Sequence, residues 1–164
     1  MFKLMRKRLS EDSGFTLIEL MVVVLIIAVL VAIAIPSFLG FRSRAQDRAA
    51  QAELRNVLLA EKAYWTDEGS YTATDASLQT YEPTIVLIAD ATAAGATSGA
   101  EANLSADDQE VCLYRQSDSG ALFGIWESDT EGTYYGSGAD ATTAAGAACP
   151  DGSTPPTNFV TGGW

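Results

Sequence analysis

Residues 15–35 read FTLIELMVVVLIIAVLVAIAI, twenty-one positions carrying one ionisable group, Glu19. As an α-helix rising about 1.5 Å per residue, this stretch is about 30 Å long, the hydrocarbon thickness of a bilayer. A lone carboxylate near the end of such a helix is costly unless paired, which makes Glu19 a functional residue by default. Gly14 stands immediately before the run, and the leader before it is basic, with Lys3, Arg6, Lys7 and Arg8. Thirteen large apolar side chains lie between Leu20 and Ile35. At roughly 1.5–3 kcal/mol of burial each they total tens of kcal/mol, so this segment requires lipid or a bundle of partner helices.

A secretory signal peptide has a shorter apolar stretch, about 7–15 residues, followed by small residues at the cut. Here the run is longer and continues into Pro36-Ser37-Phe38-Leu39-Gly40, so a retained anchor is the better reading. The basic leader places the N-terminus on the cytoplasmic side, although Arg42, Arg44 and Arg48 on the other flank narrow the charge bias.

The remainder of the chain sets the compartment and excludes several chemistries. The 164 residues carry a net charge of −11, suited to one modest globular domain beyond the apolar segment. After Lys62 the only cation is Arg115, against fifteen carboxylates. An acidic domain of this kind repels nucleic acid, so no direct nucleic-acid binding is expected of it. With no histidine and only Cys112 and Cys149, the sequence offers no zinc cluster, thiol–imidazole pair or serine–histidine site, and no enzyme, metal or cofactor is expected. Two cysteines beyond a membrane segment read as one disulfide in an oxidising compartment, with two buried free thiols as the alternative. The acids at Asp107, Asp108 and Glu110, or at Asp129 and Glu131, lack calcium-ligand spacing and read as solvated.

Gly14-Phe15-Thr16-Leu17-Ile18-Glu19, with a basic leader before it and an apolar run after it, closely resembles the class III signal of type IV pilins and of the pseudopilins of type II secretion and competence systems. The resemblance implies that a membrane-embedded prepilin peptidase cuts between Gly14 and Phe15 and methylates the new Phe15 terminus. It also implies that Glu19 of one protomer neutralises the terminal ammonium of a neighbour during assembly. The other reading of Glu19 is a helix N-terminal acid favoured by the dipole and nothing more. Pilins of this kind carry a proline at the place of Pro36. A proline there costs about 3 kcal/mol and predicts, with Gly40, a kink or local loss of helix over 34–40. The family further implies a disulfide-bounded C-terminal region, an assembly platform with its cytoplasmic ATPase, and residence in the cytoplasmic membrane before incorporation into a surface filament.

Between Phe41 and Asp67 no glycine or proline intervenes, so the helix is expected to continue to about Gly69. At 100° per residue, Arg44, Arg48, Arg55 and Lys62 form one basic stripe. Ala45, Ala49, Ala52 and Leu59 form one apolar side, and Ala50, Leu54, Leu58 and Trp65 another. One apolar side is expected to pack on the head and the alanine-rich one on partner helices. Strands are expected at Glu110–Arg115, Ala121–Trp126 and Thr133–Tyr135, with 81–89 a connector or first strand and 89–106 and 136–148 exposed loops.

The chain therefore divides into a leader (1–14, removed), an apolar assembly helix (15–35), a kink and amphipathic continuation (36–69) and an extracytoplasmic head (70–164). The fold class is α+β and pilin-like, a long helix packed on an antiparallel sheet of three or four strands. The function is a subunit of a helical type IV pilus-like homo-oligomer for adhesion, motility or DNA uptake. A secretion or competence pseudopilin is the close alternative, and a monomeric membrane-anchored binding protein is the alternative from another class.

Overall fold

A computed structural model describes residues 14–93, 99–139, 141, 145, 149–150 and 154–164. The basic leader up to residue 13 lies outside them. Helix α1 runs Leu17–Glu68, fifty-two residues in all. It traverses two compact units, the first ending at Phe41 and the second running Arg42–Trp164. Helical assignment is unbroken through Pro36 and Gly40. Local loss of helix is therefore not what the single chain adopts. One proline removes one ladder bond, and its fixed φ of about −65° is itself helical, so the turns on either side can carry the helix through it. Gly69, with φ 76°, ends the helix as its left-handed cap, and its N–H donates to the Trp65 carbonyl at 2.8 Å.

Within the second unit, a short helix α2 (Asp75–Leu78) precedes four strands: β1 (Glu101–Leu104), β2 (Glu110–Gln116), β3 (Leu122–Ser128) and β4 (Gly132–Ser137). They form an antiparallel meander in the order β1-β2-β3-β4. The β2–β3 turn closes on Gly120 at φ 92°, a backbone angle that favours glycine.

Both faces of the central strands are apolar, and each closes a different core. Val111, Leu113, Phe123 and Ile125 point toward α1 and meet Ala50, Leu54, Val57 and Leu58. Cys112, Tyr114, Leu122 and Trp126 point the other way and are covered by Ala141, Cys149 and Phe159. Phe159 reaches so close to the sheet that a Cβ at Gly136 would lie 2.2 Å from its ring. Two ion pairs fasten the sheet to the helix where apolar residues give out. Arg115 Nη2 lies 2.9 Å from Glu53 Oε2, and Lys62 Nζ 2.7 Å from Glu127 Oε1.

The three expected strands are present: β2 and β3 are each one residue longer than their apolar pattern indicates, and β4 is three residues longer. The segment 81–89 is a connector, touching the sheet through one parallel bridge, Leu87 to Ala100. The reading of 89–106 as an exposed loop is corrected, because β1 lies within it and Ala91, Ala100 and Glu101 are buried. Glu-Ala-Asn-Leu has little intrinsic strand preference. It is held as an edge by pairing with β2, while the buried Glu101 carboxylate takes the Ala91 N–H at 2.7 Å and the Asn103 amide at 2.6 Å. The loop expected over 136–148 begins two residues too early, since Gly136 and Ser137 complete β4, and Ala141 is buried. Positions 142–144 and 146–148 lie outside the described residues.

Candidate functional site

The site begins where the helix begins. Thr16 is the residue before the first helical position, and its backbone N–H and hydroxyl both donate to Glu19 Oε2, at 2.8 and 2.6 Å. In return the Glu19 N–H donates to the Thr16 hydroxyl at 3.3 Å. This is a capping box, in which the first turn's open N–H groups and a threonine–glutamate pair satisfy one another. The Thr-x-x-Glu spacing of Thr16 and Glu19 is the sequence signature of this cap. The carboxylate is thus held at the N-terminal end of the helix, four residues after Phe15 and five after Gly14.

Beyond this cap, nothing among the described residues covers the helix in the first unit. Every large apolar side chain from Leu17 to Phe41 is exposed, Leu20 at 55% and Ile33 at 68%. None of the most apolar eighteen-residue window is buried, and its mean hydropathy is 3.3. Gly14 and Gly40 have nothing within 4 Å of where a Cβ would stand. Among the described residues no packing calls for glycine at either position.

In the second unit the continuation of α1 separates into two sides. Ala50, Leu54, Val57, Leu58 and Ala60 are buried in the head core, and Trp65 is partly buried against it. Ala45, Ala49, Ala52 and Leu59 are exposed. The expected division of the helix into a head-packed and an open side is therefore present. The basic stripe is only partly solvent-facing: Lys62 pairs inward with Glu127, and the Arg55 guanidinium stacks over the Trp164 ring at 5.1 Å. Cys112 and Cys149 are joined by a disulfide, Cα–Cα 5.4 Å, which ties the chain near residue 149 to the middle of β2.

Among the described residues four acids are buried, Glu61, Glu101, Glu110 and Glu127. The reading of Glu110 as solvated is corrected, because it lies in β2 with its side chain covered while Asp107 and Asp108 in the adjoining turn are exposed. Glu61 is fully buried on the head-facing side of α1. Its Oε2 accepts the Thr72 N–H at 3.1 Å, and Oε1 has no hydrogen-bond partner. Its position seven residues after Leu54 already placed it on the apolar side. Burial pushes its carboxyl up to about 8, and the Thr72 N–H offsets only part of that. A carboxyl raised in the folded state stabilises the fold fully below its unfolded value of about 4.5. That stabilisation is lost as pH rises through about 8. Urea unfolding at pH 5, 7 and 8.5 should show stability falling by about 2–4 kcal/mol across this range relative to Glu61→Gln. The variant should lack this slope and exceed the parent in stability at the highest pH.

Among the described residues no group of three or more His, Cys, Asp or Glu is placed to hold a metal ion. What the structure defines is a class: an α+β protein whose long N-terminal helix is apolar and uncovered in its first unit and forms one layer of a helix-on-sheet head in its second. Residues 9–35 match the prokaryotic N-terminal methylation motif. The chain is 41% identical over 70 residues to the type IV wide pilus major component PilA4 of Thermus thermophilus, covering 43% of this chain and 53% of that one. It is 44% identical over 61 residues to the type IV major pilin protein PilA of Myxococcus xanthus, 37% of this chain and 28% of that one. With the type II secretion system core protein G of Vibrio cholerae it shares 33% identity over 73 residues, 44% of this chain and 50% of that one. The matched stretch thus spans about half or less of these relatives. Over these stretches the chain is homologous to type IV pilin proteins and to type II secretion system core protein G.

Proposed function

We propose that this chain is a structural subunit of a type IV pilus-like filament. The observation that carries the reading is the junction of a capped, uncovered apolar helix with Gly14-Phe15 at its head. Residues 1–14 act as a leader that a prepilin peptidase removes, Phe15 becomes the N-methylated terminus, and 15–35 hold the subunit in the cytoplasmic membrane as a single pass. Residues 36–69 continue the helix, with Pro36 and Gly40 as the place where it can bend, and 70–164 form the head outside the membrane. Glycine at 14 is explained by the peptidase, and among the described residues no packing requires it. Assembly moves the apolar helix from lipid into a bundle of copies, drawn by a platform protein and its ATPase, and the finished filament serves adhesion, motility or DNA uptake. The Glu19 carboxylate then exchanges part of its local cap for the Phe15 ammonium of a neighbour.

A second reading, a pseudopilin of a secretion system, is supported by the identity with core protein G. Mass spectrometry of the mature chain tests both against a monomeric anchored binding protein. An N-terminal N-methyl-Phe15 is the expected result, and an intact leader would overturn both filament readings. Electron microscopy of material sheared from the cell surface then separates a pilus from a secretion pseudopilus.

A further inference from the structure

The second unit carries its charges at opposite ends. From residue 70 onward there are thirteen carboxylates and one cation, Arg115, which is turned inward onto Glu53 and the Gly99 carbonyl. Several of the acids gather at the Gly69 end of the helix. The β1–β2 turn is placed there by the Tyr71 N–H donating to the Asp108 carbonyl at 2.9 Å and the Gln109 amide donating to the Gly69 carbonyl at 3.2 Å. The β3–β4 turn lies beside it, because Glu110 faces Ser128 and Ser128 faces Gly132 in the sheet register. Asp107, Asp108, Asp129, Glu131 and Glu68 are all exposed at this end. The last helical turn holds no basic residue, so the negative end of the helix dipole adds to the same field. Lys62, the nearest cation, is committed to Glu127 and the Thr133 hydroxyl.

The other end is the reverse. Arg42 and Arg48 are exposed on α1 beside the open alanines Ala45, Ala49 and Ala52, with Arg44 and Arg55 on the same stretch. Among the described residues, the acids on or beside this stretch are Asp47, which takes the Ser119 hydroxyl, Glu53, which is paired with Arg115, and Asp118 next to Ser119. About twenty helical residues, roughly 30 Å, separate Arg48 from Glu68. That is several Debye lengths at physiological ionic strength, about 8 Å each, so the two ends cannot neutralise one another within one molecule. Two different complementary patches at opposite ends of a rigid element associate head to tail, and such a contact propagates without closing. It also relieves the repulsion between heads of high like charge.

We infer that the side of α1 flanked by Arg42 and Arg48, with the open Ala45, Ala49 and Ala52 between them, is a docking surface for the acidic turn end, Asp129 and Glu131 with Asp107 and Asp108, of a second copy of this chain. The inference rests on the filament reading above and adds to it the surfaces that fix how heads follow one another. The test uses the full chain in cells with a pilus assembly system and compares sheared filament yield for the unaltered chain, R42E/R48E, D129K/E131K and the fourfold combination. Each double variant should lower yield about tenfold, and the combination should return it to within about threefold of the unaltered chain. Unchanged yield in R42E/R48E, or reduced yield in both double variants that the combination does not recover, would overturn the pairing while the filament reading stands. No filaments from the unaltered chain would remove the filament reading and the pairing with it.

Discussion

Glu19→Ala is expected to leave the chain cut at Gly14 and held in the membrane while abolishing surface filaments. In the single chain the carboxylate serves the helix start, where a capping box contributes about 1 kcal/mol. In the proposed assembly it faces a terminal ammonium where water is scarce, and removing one partner of a buried pair costs about 3–5 kcal/mol. That cost recurs at every subunit added, so each step of growth weakens by roughly a hundredfold or more. Glu19→Gln separates the two roles, because an amide can still close the capping box but carries no charge. If charge pairing drives assembly, the Gln variant should fail as the Ala variant does. Filaments from Glu19→Gln at the parental level would assign Glu19 to helix capping alone. The measurement is the ratio of sheared filament to membrane-held subunit for each variant.

Cys149→Ser should lower the stability of the head by about 4 kcal/mol, the chain-entropy value for a bridge across a sequence separation of 37. Loss of packing adds little, because serine nearly matches cysteine in volume. Both sulfurs are buried, Cys112 at 0% and Cys149 at 4% exposure, so the bridge anchors the covering of the outer core that includes Trp126 and Tyr114. Urea unfolding in detergent micelles, with and without dithiothreitol, checks this directly. Reductant should bring the parent down to the level of the variant and leave the variant unmoved. A parent indifferent to reductant at its unfolding midpoint would show that the outer core stands without the bridge.

The readable parts of this chain were those governed by local rules. Helix α1 follows from twenty-one apolar positions and an uninterrupted run of helix formers, and β2 and β3 from alternation on either side of a Ser-Asp-Ser-Gly turn. The strand β1 was not readable, because Glu-Ala-Asn-Leu acquires its extended form from β2 and from the buried Glu101 carboxylate rather than from its own preference. Glu61 was half readable. Its helical phase placed it on the core side, but whether an acid there is buried depends on the Thr72 N–H, which the fold brings to it across eleven residues. The inward turn of Arg115 and Lys62 onto Glu53 and Glu127 was likewise invisible, since each pair joins strand to helix.

By itself the amino-acid order determined that one end of this protein cannot stand alone in water, since transfer free energy is additive over residues and needs no knowledge of the fold. It also placed Gly14, Phe15 and Glu19 within six consecutive positions, because their spacing is covalent. Only the tertiary structure decided which acids gather at the Gly69 end and which arginines remain outward at the other. That segregation depends on strand register and on which helix face the core consumes, and both are set by contacts between residues far apart in the chain.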